Sequence, residues 1–95
     1  MSETAKRFRV IGRVQGVAFR AWAQEEARAL GLRGAIYNEP KGSVGGLVIG
    51  DAGQVSAFLA ALDDGPPAAV VADVNIEDAT AEDIEDAGDG FHITG

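Results

Sequence analysis

The chain has 95 residues, 46% of them apolar, a size and share that fit one domain with one hydrophobic core and exclude a disordered tail. A net charge of −7 argues against general nucleic-acid binding, which needs a basic surface, and no apolar run reaches the roughly 18–20 residues of a membrane-spanning helix. Cysteine is absent and His92 is the single histidine, which excludes disulfides and thiolate nucleophiles and disfavours Ser-His-Asp triads and multi-histidine metal sites.

Phe8, Val10 and Val14 fall on one parity of Arg7–Val14, with Arg7, Arg9 and Arg13 on the other, the period of a half-buried strand. Gln15-Gly16-Val17-Ala18 reads as a loop. Phe19, Trp22, Ala23, Ala27 and Leu30 then share a stripe at helical spacing, while Gln24, Glu25 and Arg28 face away. Gly31 stands where a left-handed residue commonly ends a helix. Arg33–Asn38 and Ser43–Ile49 read as two strands of a hairpin joined by the turn Glu39-Pro40-Lys41-Gly42. Asp51 caps a second helix, whose Val55, Phe58, Leu59 and Leu62 recur at i, i+3, i+4 and i+7. Gly65-Pro66-Pro67 stops it. Val70–Ile76 reads as a fourth strand with Ala72, Val74 and Ile76 on one face. The acidic stretch 77–89 lacks a core-facing pattern and is expected to be a loop. Phe91-His92-Ile93 gives a short terminal strand within residues 90–94, with His92 expected to be exposed or on an edge strand.

The order strand, helix, strand, strand, helix, strand predicts an α+β ferredoxin-like sandwich (βαββαβ), an antiparallel sheet with two helices on one face. It is expected to be one domain over residues 1–95, with a core of about 7–76. All 8 basic residues lie in positions 1–41 against 4 acids, a formal +4, whereas residues 42–95 carry 11 acids and no base. Such polarity can draw a small anion toward the basic half, or simply keep the protein soluble. The charged N-terminal residues lack the apolar stretch of a signal peptide, so a soluble, cytoplasmic protein is expected.

The segment Gly12-Arg13-Val14-Gln15-Gly16-Val17-Ala18-Phe19-Arg20 joins the first strand to the first helix. The first N–H groups of a helix have no partner within it and sit at the positive end of its dipole. A glycine-containing turn can point successive N–H groups at an anion, and an arginine there adds a planar fork of donors. Such turns also contain glycine for geometric reasons alone, and an arginine in a first turn is often just solvated. The segment lacks the lysine and hydroxyl pair of a Walker loop, which disfavours nucleotide hydrolysis. Asn38, just before Glu39-Pro40, can orient a water or simply form a turn.

The run Gly12–Arg20 resembles the first signature of the acylphosphatase family, roughly Gly-x-Val-Gln-Gly-Val-x-Phe-Arg, at every fixed position. Gly34-Ala35-Ile36-Tyr37-Asn38 followed by Lys41-Gly42-Ser43-Val44 resembles the second. Gly31-Leu32 and Gly65-Pro66-Pro67-Ala68 are similar to further family landmarks. The resemblance implies a monomeric, metal- and cofactor-free hydrolase acting on small acyl phosphates. It assigns Gln15, Gly16, Val17, Ala18, Phe19 and Arg20 to phosphate binding, and Arg20 and Asn38 to catalysis, with Asn38 orienting the attacking water. No side chain is an obvious general base, and the substrate's own phosphate oxygen is the expected proton acceptor. Ala18 replaces a frequent glycine, Tyr37 a frequent arginine, Ala35 a common tryptophan and Lys41 a frequent aspartate, and Gly45-Gly46 thins the third strand. The alternatives are a non-catalytic anion-binding or regulatory domain on the same scaffold and an RNA-recognition module. The latter stacks bases on sheet aromatics, and Ser43–Ile49 has none.

Overall fold

The computed structural model describes residues 3–95. Its elements run β1 (Glu3–Arg13), α1 (Phe19–Ala29), β2 (Arg33–Asn38), β3 (Val44–Asp51), α2 (Ala52–Asp64), β4 (Val70–Asp78), α3 (Ala81–Asp86) and β5 (Phe91–Ile93). The sheet order is β4-β1-β3-β2-β5. All neighbouring pairs are antiparallel except β2 and β5. The expected ferredoxin-like α+β sandwich is present, with the terminal strand added at the free edge of β2.

Register decides which side chains meet. Phe8 pairs with Gly46 and Val10 with Val44, while Ile36 pairs with Gly46 and Asn38 with Val44. Opposed residues share a face, so these even positions all point to one side. α1 and α2 cover that side. Phe19, Ala23 and Ala27 from α1 and Val55, Phe58 and Leu62 from α2 join Phe8, Val10, Ile36, Val44, Val48 and Phe91 in one buried cluster. The Phe58 ring lies 5.7 Å from Phe8 and 5.6 Å from Phe91, tying both edges of the core to α2. The helix ends follow the sequence. Gly31 takes φ +70° after α1, and the Asp51 carboxylate accepts from Gly53 N–H at 3.1 Å to cap α2.

Two expectations are corrected. The acidic stretch 77–89 is not a loop throughout: β4 continues to Asp78 and α3 spans Ala81–Asp86. Thr80 and Asp83 form a reciprocal capping box, a local polar signal that nucleates a helix without any core-facing stripe. This segment crosses the sheet face opposite α1 and α2, from β4 at one edge to β5 at the other. Asp83 there lies 3.8 Å from Arg7, and Ile49, on the odd face of β3, is fully buried. Secondly, Ala72 leaves the face that Val74 and Ile76 share opposite Val10 and Phe8. A bulge opposite Ile11 and Gly12 shifts the β1–β4 register. Val71 therefore takes the core-facing place of Ala72 and packs there beside Val74, while Ile76, on the same face of an edge strand, is 48% exposed.

Candidate active site

One end of the sheet gathers the C-terminal end of β1, the start of α1, the end of β2, the start of β3 and the residues after β5. The loop Gln15–Ala18 enters α1 through an unusual backbone. Gly16 has φ +75° and Ala18 φ +60°, with the residues between and beside them at negative φ. Alternation of this kind turns successive N–H groups toward one concavity. The N-terminus of α1 has no side-chain cap and no acid in its first turn, with Ala18 as the N-cap residue. Its first helical hydrogen bond is Trp22 N–H to Ala18 O at 3.0 Å, which leaves the N–H groups of Phe19, Arg20 and Ala21 available. Positive dipole and unpaired donors together favour an anion.

The side chains of the loop divide their work. Phe19 is buried and meets Trp22 edge-on with ring centres 5.4 Å apart, so it anchors the turn and offers only its N–H to a ligand. Val17 packs partly on the core. The side-chain amide of Gln15 is engaged by the turn after β2: its Nε2 donates to Glu39 O and Ser43 O, both at 2.9 Å. Arg20 remains as the charged member. Its Nη1 donates to the main-chain oxygen of Gly95, and no Asp or Glu side chain among the described residues pairs with it.

Asn38 ends β2 on the helix-covered face, beside buried Val44. Its N–H donates to the same Gly95 carbonyl at 3.1 Å. One acceptor thus brings Arg20 and Asn38 together from residues 18 positions apart. The Asn38 Oδ1 is buried and has no hydrogen-bond partner among the described residues. A buried acceptor left unmet costs about 1–3 kcal/mol, and such exceptions concentrate where a ligand or water completes the set.

The turn after Asn38 is fixed by charge. Glu39 accepts from Arg9 Nε at 2.8 Å and Nη2 at 2.9 Å, and from Ser43 Oγ at 2.8 Å. The Arg9 hydrogen bond holds the Glu39 carboxyl below its ordinary pKa, and Glu39 in turn raises that of Arg9.

With this geometry in view, the comparisons with known proteins are decisive. A family model described as acylphosphatase matches residues 6–93. The chain belongs to the acylphosphatase family. A relative named acylphosphatase from Rhizobium meliloti (strain 1021) is 50% identical over 86 residues, covering 90% of this chain and 87% of the relative. Another of the same name from Thermotoga maritima is 43% identical over 82 residues, covering 86% and 91%. The crystal structure of acylphosphatase from Bacillus subtilis superposes with a TM-score of 0.89 at 31% identity, covering 99% of this chain and all of that one. The enzyme hydrolyses acyl phosphates (EC 3.6.1.7) to a carboxylate and inorganic phosphate.

The positions that depart from the commoner family pattern now have addresses in this acylphosphatase. Ala18 does adopt the left-handed conformation that glycine takes more readily. Lys41 sits exposed at the tip of a turn already secured by Glu39 and Ser43, so an aspartate there is not needed to close it. Tyr37 and Glu39 lie over Gly45, and the Phe8 ring lies over Gly46. The thin third strand makes room for large neighbours on both faces. His92 is exposed on the edge strand β5, its Nε2 2.7 Å from Asp89 O. Among the described residues no group of three or more His, Asp and Glu side chains is placed to hold a metal.

Sequence reasoning missed the roles of Gly95, Arg9 and the Gln15 side chain. Each depends on a contact across 24 or more residues, for which local spacing carries no signal.

Proposed function

We propose that Arg20 and the N–H groups of residues 16–20 hold the phosphate of an acyl phosphate while Asn38 orients the water that attacks it. The observation that carries this reading is the buried Oδ1 of Asn38, without a hydrogen-bond partner among the described residues and tied through Gly95 O to Arg20. Oδ1 is shielded from solvent, so a water reaches it only after local movement. A bound phosphate supplies the cause, because its charged oxygens compete with Gly95 O for the Arg20 guanidinium.

Phosphoryl transfer to water requires in-line geometry and stabilised equatorial oxygens more than a strong acid or base. Backbone donors and Arg20 stabilise the charge, and the carboxylate leaves without a proton. Asn38 Oδ1 accepts a hydrogen bond from the water, and the water's proton passes to a phosphate oxygen of the substrate. The protein acts on this reading as one domain, as a monomer and in the cytoplasm.

Competitive inhibition by inorganic phosphate tests the division of labour. Arg20→Ala should raise the phosphate inhibition constant at least about 10-fold, as loss of a charged hydrogen bond of about 1.5–3 kcal/mol requires, while Asn38→Ala leaves it within about twofold. The same weakening in both variants would refute separate roles and favour a general anion-binding surface.

A further inference from the structure

Resting on those roles, we propose that Gln15 is a positioning residue for the reaction: its side-chain amide holds the turn that carries Asn38 at a fixed distance from the phosphate loop. The Nε2 group has two hydrogens and spends both, on Glu39 O and Ser43 O at 2.9 Å each. Glu39 directly follows Asn38, and Ser43 directly precedes Val44, the register partner of Asn38. The clamp therefore grips both strands of the hairpin next to the Asn38–Val44 pair.

The turn needs such a clamp. Pro40 and Lys41 are exposed, Gly42 has φ +98°, and no member of 39–43 belongs to the core cluster. Its order comes from polar contacts: Glu39 N–H to Ser43 O at 2.8 Å, Gly42 N–H to Glu39 O at 3.1 Å, and the Glu39 carboxylate held by Arg9 and Ser43. Arg9 ties the turn to β1. Among the described residues, no other hydrogen bond than those of Gln15 joins the loop 15–18 to the turn 39–43. Phosphate and water must line up within a fraction of an ångström, and a misplacement of about 1 Å can cost 10²-fold in rate. A carboxylate at position 15 cannot do this work, since it would face two carbonyl oxygens with no hydrogen to offer.

The test is a double-mutant cycle on the full chain, reading kcat for benzoyl phosphate, the inhibition constant of inorganic phosphate and the thermal unfolding midpoint. Gln15→Met keeps the length without the donors, and Gln15→Glu is a second, nearly isosteric variant should the first fail to fold. Each is made alone and together with Asn38→Ala. In the native background we expect kcat to fall about 10-fold or more, with phosphate inhibition unchanged within about twofold. In the Asn38→Ala background the same substitution should lower kcat less than about twofold, because it acts through a group no longer present. An equal loss in both backgrounds, a phosphate affinity that falls in step with kcat, or an unchanged kcat overturns the positioning role while leaving Asn38 in place. If Asn38→Ala alone kept full kcat, the role of Asn38 would fall and this one with it.

Discussion

Arg20 and Asn38 meet at a single atom, the carbonyl oxygen of Gly95, which accepts from the guanidinium Nη1 of one and from the backbone N–H of the other. The contact is made possible by β5, which runs parallel to β2 and delivers residues 94 and 95 to the end of the sheet where α1 begins. Thr94 N–H donates to Ile36 O at 3.0 Å and fixes the approach. A residue far from both signatures thus sets the resting position of the charged group.

Ending the chain after Ile93 removes this acceptor. Because phosphate has to draw Arg20 away from Gly95 O, losing that competing hydrogen bond of about 0.5–1.5 kcal/mol should lower the phosphate inhibition constant about 2- to 10-fold. Titration of the truncated and native proteins with phosphate checks this, and equal affinities would show that Gly95 has no part in holding Arg20.

Ala18 at φ +60° carries a strain of about 1–2 kcal/mol that glycine does not feel. Glycine gives back about 0.5–1 kcal/mol through the greater freedom of its unfolded chain. Ala18→Gly should therefore stabilise the protein by about 0.5–1 kcal/mol in urea unfolding. A less stable variant would mean that the methyl group makes contacts worth more than the strain.

The Glu39 pair predicts how stability responds to acid. Hydrogen bonding to Arg9 lowers the Glu39 pKa in the folded state. Its contribution is thus full above the unfolded value near 4.5 and disappears as pH falls through the lower folded value. Asp78, bonded by Lys6, and Asp83, bonded by the Thr80 backbone, shift in the same direction. Glu39→Gln should be less stable than the native protein at neutral pH and converge on it as pH falls below the unfolded value near 4.5. Parallel curves across this range would show that the pair contributes nothing.

Much of this was legible in the sequence, and what escaped has a physical pattern. Phe19, Ala23 and Ala27 at helical spacing found the buried face of α1, and Phe8 and Val10 found that of β1, because burial imposes a period. The run Gly12–Arg20 pointed to the proposed anion site because helix termini and positive-φ turns constrain residue type. α3 was not legible: its helix is set by the Thr80–Asp83 box and by docking across the sheet beside Arg7, not by a stripe. Ala72 of β4 was misread because a bulge changes register without altering composition. Gly45 and Gly46 looked like weaknesses until Tyr37 and Phe8 were seen to occupy the space. At the site itself Arg20 and Asn38 were visible through their motifs. Gln15 was visible as a residue but not in its direction, since its two acceptors belong to a turn 24 and 28 positions away.

The most direct measurement is hydrolysis of benzoyl phosphate at neutral pH with EDTA present, resolved into kcat and KM for the native chain, Arg20→Ala and Asn38→Ala. Removal of one preorganised charge-stabilising or orienting group costs about 10²–10³-fold in kcat. Both variants should lose at least about 100-fold in kcat/KM. Asn38→Ala should lose it in kcat with KM nearly unchanged, and Arg20→Ala in both constants. A folded Asn38→Ala protein that turns over at the native rate would contradict the account, because the buried acceptor would then have no part in placing the water.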